Sequence, residues 1–333
     1  MVEMKDSQYP LLVNYLKGNC VFVDLGSAGA EGFKAPLGGL AKAVTFVELD
    51  AASLSSLGSA EFFQMHKIGK GVAGAPGKRL FYHRKFPPCS SLLKPNIDLI
   101  QEYGLEDYFV ELGRTEMECT TLNEILEDLK INRVDFLKTD LEGLDFEVIS
   151  SSEGIVKSSL VIQCEARFLP IFEGEPPFFE IAKHLEARGF DLITIHPEVW
   201  KYNTAHRLQQ RDGRLVMADA IFFLRPDHVR KLFGSDWSKA MVKQAIIAKA
   251  NRMHNFAERL FEMVQGSLDV QLQKELAGFI NSVNGEQSAL QGLVTMMLPH
   301  PLLARLVRRA NRGFSKLYKA TRVLDHLPHI GSL

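Results

Sequence analysis

Lys138, Asp140 and Glu142 stand at alternate positions ahead of Gly143, in the run Val134-Asp-Phe-Leu-Lys-Thr-Asp-Leu-Glu-Gly-Leu144. A carboxylate within hydrogen-bond reach of a hydroxyl can take its proton, and an ammonium beside that carboxylate keeps it ionised. Asp140 is the first candidate for such a base, or for a group that orients the reacting hydroxyl. Glu142 and Glu165 are candidate helpers, and Lys138 is the cation that would pair with one of them. Asp140 and Glu165 are also of the type that holds Mg²⁺, but a third oxygen ligand is not evident and no metal is expected. A competing reading makes Asp140 a helix cap and Glu142 a partner for the helix's positive end. His196 is an alternative base or a solvated loop residue, and Asp219 reads as structural. Cys89 has nothing beside it to lower its pKa.

These residues need elements to hold them. Val134, Phe136 and Leu137 read as a short buried strand, and Leu144, Phe146, Val148 and Ile149 as the apolar positions of a helix beginning near Gly143. The three charges thus fall at the carboxyl end of a strand, the edge where open α/β sheets bind ligands. Further strands are expected at Cys20–Leu25, Val44–Leu49, Arg79–Arg84, Leu160–Ala166, Phe190–Ile195 and Ala218–Leu224. Helices are expected at Phe33–Ala43, Ser53–Met65, Thr120–Lys130 and Phe178–Arg188, with Thr121 and Glu124 as a capping box. Strands and helices therefore alternate over residues 20–225, which predicts a doubly wound α/β domain. Residues 1–19 form a lead-in, and 226–333 form a helical extension with no strand signal.

A second group of residues is expected at the same sheet edge. Asp24 lies near the end of the first strand and is followed by Gly26-Ser-Ala-Gly-Ala-Glu-Gly32, a loop of small residues that lets backbone approach a ligand. Ala28 breaks the G-x-G-x-x-G dinucleotide pattern, and no Gly-Lys-Ser/Thr follows to make a P-loop. Glu48, at the end of the second strand, is placed to accept hydrogen bonds from a ribose diol. Asp24, the Gly26–Gly29 loop and Glu48 together point to an adenosine-containing ligand.

With these residues in view, the chain resembles an FkbM-type methyltransferase, which uses S-adenosylmethionine. The resemblance covers about residues 20–225. It is carried by Val21-Phe-Val-Asp-Leu-Gly-Ser-Ala-Gly29, Phe46-Val-Glu48, Cys89-Ser-Ser-Leu-Leu-Lys-Pro-Asn96, Cys119-Thr-Thr-Leu-Asn-Glu124 and, most specifically, Lys138-x-Asp140-x-Glu142-Gly143. Two positions depart from the family pattern: Leu49 stands where a proline is usual, and Ser27-Ala28 where an asparagine is common. The resemblance implies a Rossmann-like seven-stranded class I methyltransferase sheet whose last strand runs antiparallel. It implies O-methylation of a hydroxyl on a sugar, glycan or other secondary metabolite. Asp24 and Gly26 would lie near the methionine part of the cofactor, Glu48 would hold its ribose and Val72 and Ala73 would contact its adenine, while Ser27, Gly29, Leu49 and Asp140 complete the cofactor-binding set.

Composition sets the outer bounds. A net charge of −1 over 333 residues gives no sign of nucleic-acid binding. The four cysteines form no C-x-x-C pair and read as free thiols of a reducing compartment. Met1–Pro10 lacks the order of a signal peptide, and no apolar run reaches the roughly 18 residues a membrane span needs. A cytoplasmic protein is expected. The basic run from Arg305 to Arg322 reads as a solvated helix face or as a surface for an anionic glycan or membrane. The competing functions are a non-catalytic scaffold that keeps the fold and a nicotinamide-dependent oxidoreductase. The sequence leaves the acceptor and the oligomeric state open.

Overall fold

The computed structural model describes residues 8–26, 36–49, 62–204, 213–282 and 330–332. A short helix, α1 (Pro10–Leu16), leads into β1 (Cys20–Leu25), and β2 (Val44–Leu49) and β3 (Gln64–Ile68) follow it in the main sheet. Later in the chain come β7 (Phe136–Thr139), β8 (Val161–Arg167), β9 (Phe190–Trp200) and β10 (Arg214–Leu224). These seven strands lie in the order β9-β10-β8-β7-β1-β2-β3, and β11 (Ile330–Ser332) pairs antiparallel beside β9. The pairs β1–β2, β2–β3, β1–β7 and β7–β8 are parallel. β10 runs antiparallel to both of its neighbours, as the resemblance implied for the last strand. The order reverses at β1, so the crevice of the sheet opens between the carboxyl ends of β1 and β7.

The strands that read as continuous apolar runs are the most buried. All six residues of β2 and five of six in β1 are inaccessible, as parallel strands covered on both faces require. Helix α3 (Leu122–Asp128) carries the expected capping box: Thr121 Oγ1 accepts from Glu124 N, and Glu124 Oε2 accepts from Thr121 N. Helices α4 (Asp145–Ser151), α5 (Glu153–Ser158) and α6 (Phe178–Glu186) complete the α/β alternation.

Some expectations are corrected. Gln64 and Met65 do not end a helix; they open β3, which pairs residue for residue with Thr45–Leu49. Gly38, at a φ of +53°, begins a 3₁₀ stretch through Ala43 where an α-helix was expected, because the Gly38-Gly39 pair gives the α form no support. A helix not expected from the sequence, α2 (Ile97–Tyr103), is capped by Asn96 at its start and by left-handed Gly104 at its end. A second, small sheet joins β4 (Gly71–Val72), β5 (Gly77–Arg84) and β6 (Glu111–Thr120) in the order β4-β6-β5. β6 gave no strand signal because its sequence, ELGRTEMECT, is mostly polar and exposed on both faces.

From Pro226 to Asn281 the chain is helical, with α7 (Pro226–Phe233), α8 (Trp237–Ala250), α9 (His254–Val264) and α10 (Val270–Asn281), but the strand-free extension expected for 226–333 is corrected by β11 at Ile330–Ser332. These helices share one hydrophobic core with the sheet. In α8 every residue from Ala240 to Ala250 is buried, including Lys243 and Gln244. Lys243 Nζ lies 2.8 Å from Asp135 Oδ1 and also donates to the carbonyl of Asn19. Gln244 Nε2 donates to the carbonyls of Leu160 and Leu224. Asn19, Asp135 and Leu160 precede β1, β7 and β8, so α8 closes the edge opposite the crevice. The basic run from Arg305 to Arg322 lies outside the described residues. Among the described residues no helix is long and apolar enough to cross a membrane.

Candidate active site

Strand register brings the predicted polar residues onto one face. Asp24 sits opposite Glu48 on one side and Lys138 on the other, and Lys138 sits opposite Gln163. One step nearer the carboxyl edge, Glu165 pairs with Asp219, and Asp219 with His196. Because side chains repeat every second residue along a strand, Lys138 and Asp140, or Gln163, Glu165 and Arg167, point the same way.

Lys138 is the link between the two groups. Its Nζ is 3.0 Å from Asp140 Oδ2 and 3.6 Å from Asp24 Oδ1. Burial works against its charge, but Asp24 and Asp140 outweigh that and hold the ammonium above its usual range. Asp24 is 1% exposed, whereas Asp140 keeps a third of its surface open. Asp140 is therefore the carboxylate that a substrate can reach. It does not cap the following helix: α4 begins at Asp145, has no side-chain cap, and Asp145 Oδ2 accepts from Leu141 N.

Gly26 explains how the two strand ends come so close. Its φ is +91°, its N–H donates to the Leu49 carbonyl, and Asp140 N donates to the Leu25 carbonyl. Glu48 is buried, with Lys67 Nζ 3.8 Å away. Leu49 packs its side chain in the core and offers its carbonyl to Gly26. Val72 ends β4, in register with Thr120, and Ala73 follows it: Ala73 N donates to Thr120 O, and Gly74 N to Glu147 Oε1 on α4. Ser27 and Gly29 lie outside the described residues.

Glu142 has a φ of +48°, and Ser91 Oγ donates to its carbonyl. Its side chain meets Glu165 at a residue that the sequence reading missed, Arg167. The buried guanidinium places Nη2 2.8 Å from Glu142 Oε2 and 2.5 Å from Glu165 Oε2, and Nε 3.2 Å from Glu175 Oε1. A signal for it existed. Gln163, Glu165 and Arg167 are three polar residues at alternate positions in an otherwise apolar strand, which the expected end at Ala166 cut short.

Burial pushes these carboxyls up despite the guanidinium. Glu142 rises to about 8 and Glu175 to about 7, and Glu165 rises well above its ordinary range. Asp145, Glu198 and Asp219 are raised for the same reason, so the pocket carries more carboxyl groups than it can hold ionised. Asp140, Glu142 and Glu165 each offer an oxygen within 4.8 Å of the others, close enough to hold a metal ion. Cys89 borders this cluster, and burial raises its thiol to about 12.

Residues 87–192 match the methyltransferase FkbM domain family. The match supports methyltransferase activity, and the FkbM stretch contains Lys138, Asp140, Glu142, Glu165, Arg167 and Glu175. Asp24, Gly26 and Glu48 precede the FkbM stretch in sequence and meet it at the shared edge of β1 and β7. Comparisons with curated proteins and with solved structures give no match.

Proposed function

We propose that the protein is an S-adenosylmethionine-dependent O-methyltransferase acting on a hydroxyl of a sugar, glycan or other secondary metabolite. The observation that carries this reading is Lys138, which bridges buried Asp24 on the cofactor side to open Asp140 on the acceptor side. The residues present fit the cofactor. Gly26 has no Cβ at the crevice, and the buried carboxylate of Glu48 stands in register with Asp24, suited to a ribose diol. S-adenosylmethionine held there supplies a methyl group activated by its sulfonium.

The remaining tasks belong to the chain. Asp140 accepts the proton of the acceptor hydroxyl, and Lys138 fixes the carboxylate in place. Tyr103, Phe109, Phe172 and Trp200 form a buried aromatic cluster, and its Phe172 ring backs the Arg167 guanidinium. Much of the rate enhancement then comes from positioning the two reactants.

Calorimetric titration with S-adenosylmethionine tests the reading. Binding is expected in wild type and should weaken by about tenfold or more in Glu48→Ala, since a ribose hydrogen bond to a charged group is lost. No binding at millimolar cofactor would sink it.

A further inference from the structure

Arg167 is the most committed side chain of the site. Its guanidinium is 4% exposed, touches three carboxylates, donates through Nη1 to Met217 Sδ, and stands 5.5 Å from the Phe172 ring centroid. Glu175, one of the three, uses its other oxygen to accept from the Phe172 N–H. The guanidinium therefore connects the end of β8, the turn after β7 and the Leu169–Pro177 segment that follows β8.

Three carboxylate oxygens within 4.8 Å of one another make a set on which Mg²⁺ or Mn²⁺ can close. Two of those carboxylates already share Nη2. A divalent ion placed among them would face a fixed positive charge at contact distance, in surroundings that screen it little. The guanidinium is delivered by the strand, cannot dissociate, and binds through oriented donors.

We propose that Arg167 is the resident cation of this site, a positioning residue that holds Glu142 and Glu165 beside Asp140 in the way a divalent metal holds carboxylates elsewhere. This rests on the reading of that edge as the acceptor site. Arg167 acts through Glu142 and Glu165 rather than on the acceptor itself.

The test is a Mn²⁺ titration followed by the electron paramagnetic resonance of free Mn²⁺, run on wild type, Glu165→Gln, Arg167→Met and the Arg167→Met/Glu165→Gln double variant. Wild type is expected to bind no Mn²⁺ at submillimolar concentrations. Arg167→Met should bind one ion about tenfold or more tightly than wild type, because Glu142 and Glu165 then lose their cation, and adding Glu165→Gln should remove that binding. A folded Arg167→Met that binds no better than wild type overturns the proposal. So does wild-type binding that Glu165→Gln abolishes. If Arg167→Met fails to fold, Arg167→Gln takes its place in the same titration with the same expected and overturning outcomes. Cofactor affinity measured alongside separates the two readings: loss of S-adenosylmethionine binding in wild type refutes the methyltransferase proposal and leaves the Mn²⁺ result standing.

Discussion

Gly26 lies against the backbone of Asp140 so closely that a Cβ at position 26 would stand 2.0 Å from the Asp140 carbonyl oxygen. The loop residue nearest the crevice and the candidate base are thus joined through the main chain. Gly26→Ala meets both this clash and a φ of +91°. It should destabilise the fold by about 2–4 kcal/mol and displace Asp140. Chemical denaturation measures the first effect. A variant as stable as wild type would mean that the two strand ends are not in this contact.

Asp140→Asn keeps the size of the side chain and removes its basicity. Methyl transfer should fall about 10²–10⁴-fold, the usual worth of a general base, with cofactor affinity unchanged. Transfer of labelled methyl groups to a panel of sugars and polyols, in parallel with calorimetry, separates the two quantities. Equal loss of both would make Asp140 a cofactor ligand instead.

At the opposite edge, Lys243→Met leaves the buried Asp135 without its closest cation. A loss of about 3–5 kcal/mol is expected, because an uncompensated buried charge remains. Asp135→Asn in the same chain should recover part of it. A double variant less stable than the sum of the single ones would show that the pair is not coupled in this way.

Glu142 and Glu175 titrate near 8 and near 7 in the folded protein, against 4.5 for an ordinary glutamate. Between those limits the folded state binds more protons than the unfolded chain. The contribution of these two groups to stability is therefore full below about pH 4.5 and is lost as the pH rises through 7 to 8. Glu142→Gln should flatten that slope and gain on wild type at pH 8 relative to pH 5. Thermal melts across this range provide the check, and a slope of the opposite sign would refute the assignment.

The Cys89 thiol, raised to about 12 by burial next to Glu142, should stay protonated at neutral pH. Iodoacetamide at pH 7.5 is expected to leave it unmodified in the native protein, as read by mass spectrometry. Rapid stoichiometric alkylation would show a more open and more cationic surrounding than the one described.

The parallel core was legible because its strands are apolar throughout. Cys20–Leu25 and Val44–Leu49 were delimited to the residue, since burial on both faces makes each a nearly continuous apolar run between polar or small flanking residues. β6 was invisible for the converse reason: exposed on both faces, it carries neither alternation nor an apolar run. Asp140, Asp24 and Glu48 could be found because each is an acid at the end of an apolar strand. Arg167 and Glu175 could not be recognised the same way, because what distinguishes them is a shared contact between segments eight residues apart in sequence that fold back on one another.

The closure of the far edge by α8 also orders events in time. Lys243 reaches Asn19 across 224 residues and Asp135 across 108, so the starts of β1 and β7 receive their last polar partner only when residue 243 has left the ribosome. A nascent chain halted near Pro226 would hold a finished crevice edge above an unsealed floor. Contacts this distant in sequence are slow to form, and the floor of the sheet should therefore stay open until α8 docks.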